Sequence, residues 1–219
     1  MIPVGLFGAD EAWKSKCAAE WTDQETKQVL TDSPWAAMVT PTMKKSEAKQ
    51  PGNRGGLNVG IPGMGRRRMG GGQPQDSSDH GNESSSEPPQ PLNVRWESAL
   101  PIREAELKAR ETNAPAVDED HYAIAVYGIP SRYAKDPQAL ADHLKGQSTI
   151  KREGQKDLKP SHVDVLQRDD GLVIVFLFPR TKEITAKDSR VEFNALVGPF
   201  QITQSFRVDE MIYQGKMEL

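Results

Sequence analysis

The stretch LVIVFLF, residues 172–178, decides the fold. Seven apolar residues in succession are too few for a buried helix of ordinary length. They suit a strand covered on both faces. Pro179 ends the run, because proline cannot donate to a ladder. Just before it, Asp169-Asp170-Gly171 supplies tight-turn chemistry, with glycine free to take a positive φ. Before that turn, Val163 and Val165 alternate with His162 and Asp164 over residues 161–167. The two runs predict a hairpin whose second strand is central to the core.

Working outward, Val191, Phe193, Ala195 and Val197 alternate with polar residues, and Gly198-Pro199 turns the chain. Phe200, Ile202, Gln204 and Phe206 then form one side of the next strand. Residues 211–219 predict one more short strand, bent at Gly215. Upstream, YAIAVY (residues 122–127) is apolar on both faces and reads as another central strand. Residues 92–98 predict a strand with Val94 and Trp96 on one face, and residues 35–40 a strand bounded by Pro41.

Three helices are expected. Thr22 and Glu25 fit a capping box that starts a helix over residues 23–31, with Trp21 placed as half of a hydrophobic staple. Ser33-Pro34 stops it. Residues 101–110 carry an early Pro101 and the i,i+4 pairs Glu104/Lys108 and Glu106/Arg110. Residues 136–146 have Asp136 at the N-cap, Pro137 at the first position and Gly146 just past the end. Strands and helices do not alternate strictly. The fold class is therefore α+β: a mainly antiparallel sheet, sandwich-like or a half-open barrel, with two or three short helices and a long disordered insert.

The insert is read from composition. Residues 44–90 hold 10 Gly and 5 Pro and no aromatic residue. They cannot bury enough apolar surface to offset roughly 1–2 kcal/mol of backbone entropy per residue, so they are expected to stay disordered. Three parts follow: a Trp-rich segment over residues 1–43, the linker over 44–90, and a core domain over 91–219. Trp13, Trp21 and Trp35 crowd the first part. They are expected to pack on the C-terminal sheet. The alternative is docking on a partner protein, where Trp is a frequent hot spot.

The 219 residues carry a formal charge of −3, which offers no bulk attraction to nucleic acid or anionic lipid. No apolar run reaches membrane-spanning length. The single cysteine, Cys17, excludes an intramolecular disulfide and a cysteine-based zinc site. There is no G-x-S-x-G, no P-loop and no G-x-G-x-x-G after a strand, and Ser161-His162 adjacency does not make a triad. No catalytic, cofactor-binding or metal-ligating residue is assigned. His162 and Asp164 share one strand face and mark where an enzyme of unrecognised type would put a polar site, but two facing ligands are not a metal site. Arg54 and Arg66, Arg67 and Arg68 could contact RNA phosphates. Without interleaved aromatics the tract reads instead as a solvated linker, and nucleic acid is not the expected partner. Lys151, Arg152, Lys156 and Lys159 form a basic cluster on a solvated loop, with a docking patch as the alternative.

Several segments together resemble a known group. Trp21-Thr22 with Glu25, Asp32-Ser33-Pro34-Trp35-Ala36, Arg95-Trp96-Glu97-Ser98-Ala99 and the terminal Tyr213-Gln214-Gly215-Lys216-Met217-Glu218-Leu219 are similar to uncharacterised, exported proteins of Acidobacteria-type bacteria. The resemblance implies a periplasmic or secreted location, with MIPVGLFGA (residues 1–9) as the tail of a truncated signal peptide. A cytoplasmic chain with an ordinary apolar N-terminus is the alternative. It implies no activity. The expectation is a non-enzymatic exported domain that binds or scaffolds a protein or envelope component at the bacterial cell envelope.

Overall fold

The structure is a computed structural model that describes residues 11–44, 89–111, 114–181 and 183–219. The expected disordered linker lies outside the described residues except at its two ends, and so do the Arg54–Arg68 tract and residues 1–9. Among the described residues there are four α-helices: α1 Ala12–Ser15, α2 Asp23–Thr31, α3 Leu100–Ala109 and α4 Pro137–Gln147. A six-stranded sheet runs in spatial order β1 (Asp32–Ser33), β2 (Ala36–Val39), β4 (Leu92–Trp96), β5 (His121–Ile129), β8 (Gly171–Pro179), β7 (His162–Arg168). A four-stranded sheet runs β3 (Thr42–Met43), β10 (Phe200–Arg207), β9 (Arg190–Val197), β6 (Ser148–Arg152). A terminal hairpin pairs β11 (Ile212–Tyr213) with β12 (Lys216–Met217). Every pairing is antiparallel, as the α+β reading requires. No described helix is long and apolar enough to cross a membrane.

β5 and β8 lie in the sheet interior, which explains apolar runs without alternation. The register sets Phe176 opposite Ile124 on one side and Val163 on the other. Alternate residues then divide between two clusters. Tyr122, Ile124, Val126, Ile174, Phe176 and Phe178 join the main core, while Ala123, Ala125, Val173, Val175 and Leu177 form a smaller one. In the main core, Phe193 of β9 meets Phe176 and Phe178 edge-on at 5.2 and 6.3 Å between ring centroids. Trp96 of β4 meets Phe206 of β10 at 5.1 Å. These rings fill the space between the two sheets.

Glycine is needed at one place in particular. The β5–β8 register shifts at Gly128, and a Cβ on Gly171 would lie 2.7 Å from the Ile129 carbonyl oxygen. Gly171 also has φ +138°, so both the turn and the close approach exclude a side chain.

The capping box of α2 is formed as expected. Thr22 Oγ1 accepts from the Glu25 N–H, and Glu25 accepts from the Thr22 N–H. Trp21, just before the cap, packs against Tyr213 at 5.8 Å. The two i,i+4 pairs of α3 are replaced by tertiary contacts. Lys108 donates to the carbonyls of Ala18 and Ala19, Glu104 accepts from the Tyr213 hydroxyl at 2.6 Å, and Glu106 turns inward. α4 runs through Gly146 to Gln147, where the Ser148 hydroxyl donates to the Leu144 carbonyl. The chain then enters β6 directly. Lys151 and Arg152 therefore sit on a strand rather than a loop, and Arg152 is buried, donating to the Glu183 carbonyl.

Trp13, Trp21 and Trp35 are all buried in the chain's own core, where Trp13 also borders a surface cleft. Trp13 packs edge-on against Trp35 at 6.2 Å, and Trp35 Nε1 donates to the Glu218 carbonyl at 2.7 Å. The N-terminal segment is thus tied to the last residues of the chain and belongs with residues 89–219 in one compact unit.

Candidate functional site

On β4, Trp96 points into the main core, so its neighbours Arg95 and Glu97 are carried to the other face of the six-stranded sheet. Across the register, Tyr127 of β5 stands opposite Asn93, next to Arg95 on that face. Against them α3 buries Ile102, Ala105 and Glu106, an i, i+3, i+4 stripe in which a carboxyl occupies a position that suits an apolar residue.

The result is a buried charge cluster. Glu97 and Glu106 are 0% and 2% exposed. Glu97 Oε1 accepts from the Tyr127 hydroxyl at 2.8 Å. Arg95 donates to both carboxylate oxygens of Glu111, at 2.9 and 3.4 Å, and through Nε to the Leu30 carbonyl at 3.0 Å. Glu106 lies 3.7 Å from Arg95 and 3.4 Å from Arg103. Burial, and then a hydrogen bond to the Glu97 carboxyl, push the Glu106 pKa far above the carboxylate range. Burial likewise raises Tyr127, with the Glu97 charge adding to it.

Glu97 Oε2 and Glu106 Oε1 are buried without a donor. Two ionised carboxylates in contact only accept hydrogen bonds, whereas one proton between them supplies the missing donor. Ionising all three glutamates against two arginines would leave a net charge of −1. Holding one proton brings the cluster to zero. The count calls for one proton in the cluster, and burial favours Glu106 as its holder.

Above this cluster opens a cleft of about 580 Å³. Its floor is the Tyr127 ring, with the guanidinium carbons of Arg95 and Arg168 at 4.4 and 5.3 Å from the ring centroid. Arg110 and Glu111 reach it from the end of α3, and Asp169 and Asp170 from the β7–β8 turn. The Gly128 bulge lines it too, as bulges often do beside binding sites. The lining balances three guanidinium groups against three carboxylates. The protonated pair lies too deep to touch a ligand and acts by holding Tyr127 and Arg95 in place.

Asp169 and Asp170 of the predicted turn line the cleft, but His162 and Asp164 fall elsewhere. His162 Nε2 lies 2.9 Å from Asp164 Oδ1, both exposed, and neither lines this cleft or a second one of about 480 Å³ beside Trp13. Among the described residues no group of three or more His, Cys, Asp or Glu is placed to hold a metal ion. The Arg95–Glu97–Glu106–Tyr127 cluster was not foreseen. Its one local signal is Glu106 on the buried stripe of α3, three and four residues from Arg103 and Ile102. Compared with family models, with curated proteins and with solved structures, the chain matches none.

Proposed function

We propose that this chain is a binding module whose cleft over Tyr127 holds an extended polypeptide segment of mixed charge. The observation that carries the reading is the Tyr127 ring lying against Arg95 and Arg168, in an open cleft lined by both signs of charge. The cleft crosses β2, β4 and β5 and ends at the β7–β8 turn, so a strand-like ligand would lie across several strands and meet both arginines and acids. A rigid floor lowers the ordering cost of binding. The resemblance to exported proteins supports placing this binding role at the bacterial cell envelope.

Titration of ¹⁵N-labelled protein with a panel of ten-residue peptides of alternating Lys and Glu, of poly-Lys and of poly-Glu tests the site. Saturable shifts of the Asn93, Arg95, Tyr127 and Gly128 amides with the alternating peptides, weakened about tenfold by Arg168→Glu, are expected. No saturable shift at these amides, or an affinity untouched by R168E, overturns it. An alkaline phosphatase fusion to the gene product tests location: activity is expected, and an inactive fusion in cells that make it stably opposes export.

A further inference from the structure

Some six residues along β5 from the cleft, about 20 Å away at strand spacing, three side chains, two of them close in sequence and the third 40 residues on, form a continuous hydrogen-bonded chain. Asp118 Oδ1 lies 2.7 Å from His121 Nδ1, and His121 Nε2 lies 3.0 Å from Ser161 Oγ. Asp118 is fixed by the Asp120 N–H, which donates to the same oxygen at 3.0 Å. Its pKa is held below the usual range, chiefly by the hydrogen bond to His121. His121 opens β5 and its carbonyl accepts from Arg180 Nε. Ser161 immediately precedes β7; its N–H donates to the Leu177 carbonyl, and its Oγ lies 3.2 Å from the same oxygen, slightly farther than from His121 Nε2. β8 lies between β5 and β7, so His121 and Ser161 meet across it. An ionised Asp118 selects the tautomer with its proton on Nδ1. In that tautomer Nε2 presents its lone pair to the serine hydroxyl, which is exposed.

We propose that Ser161, His121 and Asp118 form an acyl-transfer relay, with Ser161 as nucleophile, His121 as general base and Asp118 as the positioning residue. The acyl donor is a small ester with a good leaving group. Ser161 Oγ bonds to the carbonyl carbon while its proton passes to His121 Nε2 and the carbonyl π electrons move to oxygen. The adduct collapses, the bond to the leaving alcohol breaks, and that alcohol takes the proton from His121. Water then attacks the acyl-serine by the same steps, releasing the acid and restoring the hydroxyl. The three residues line neither of these two clefts and the serine is exposed, an arrangement that suits small activated esters.

The full chain treated with p-nitrophenyl acetate, and separately with a fluorophosphonate probe, tests the relay by peptide mass spectrometry. A label on Ser161 is expected, absent in Ser161→Ala and slowed about 100-fold or more in His121→Gln. Asp118→Asn should slow labelling about tenfold or more at an unchanged thermal midpoint, and Asp118→Glu should restore part of the rate. The proposal is overturned by the absence of a label on Ser161, by labelling confined to lysines, or by a Ser161 label that forms as fast in H121Q.

Discussion

On the inner face of the six-stranded sheet, Ile124, Val126, Ile174 and Phe176 meet rings from the opposite sheet. On the outer face, one residue along each strand, Ala123, Ala125, Val173 and Val175 lie near Arg95, Glu97 and Tyr127. The inner face is held by area removed from water and by edge-on aromatic contacts, which are non-directional or weakly directional. The outer face is held in part by charges whose count must balance. The first tolerates any apolar shape that fills the space. The second depends on each partner being present and in one protonation state.

Removing a ring from the inner face should therefore have the largest effect. Phe176→Ala empties the contact with Phe193 and is expected to cost about 4 kcal/mol, read as a lowered urea midpoint at every pH. Arg95→Met should cost somewhat less, about 3 kcal/mol at pH 7, because it strands Glu111 and the buried glutamates without their main cation. Its loss should shrink as pH falls and the carboxyls take up protons, whereas that of F176A should not. Equal pH dependence in the two variants would erase the distinction between the faces.

The inner face was legible because period-two and continuous apolar runs follow directly from alternation and burial. LVIVFLF and YAIAVY gave their positions, and the residues of β9 gave theirs. The strand β6 was not legible, since Lys151 and Arg152 suggest solvent, and only the fold shows Arg152 turned inward to the Glu183 carbonyl. The outer cluster was hidden for a related reason. Glu106 reads locally as an exposed partner for Arg110, and nothing within one helix turn reveals that β4 will bring Glu97 beside it. The relay of Asp118, His121 and Ser161 joins a loop, a strand start and another strand's approach across 43 positions of chain. Spacing alone cannot announce such a site.

Glu106→Gln should give the smallest change, and one of opposite sign. In the unfolded chain the Glu106 carboxyl ionises near its ordinary value of 4.5, while in the fold burial and Glu97 keep it protonated well above that. Between those two values the folded state binds a proton that the unfolded state has released, so stability falls as pH rises. Glutamine keeps the size and a donor for Glu97 but has no proton to lose. E106Q should therefore flatten the decline in thermal midpoint above pH 5 and exceed the parent by about 1 kcal/mol or more at pH 8. At pH 3, where both chains carry an essentially neutral side chain in either state, the two should nearly coincide. If Arg95 and Arg103 instead kept Glu106 ionised, E106Q would strip a buried anion from two cations and destabilise the fold at pH 8. The sign of that one difference decides whether the outer face is held by a shared proton or by a full set of ion pairs.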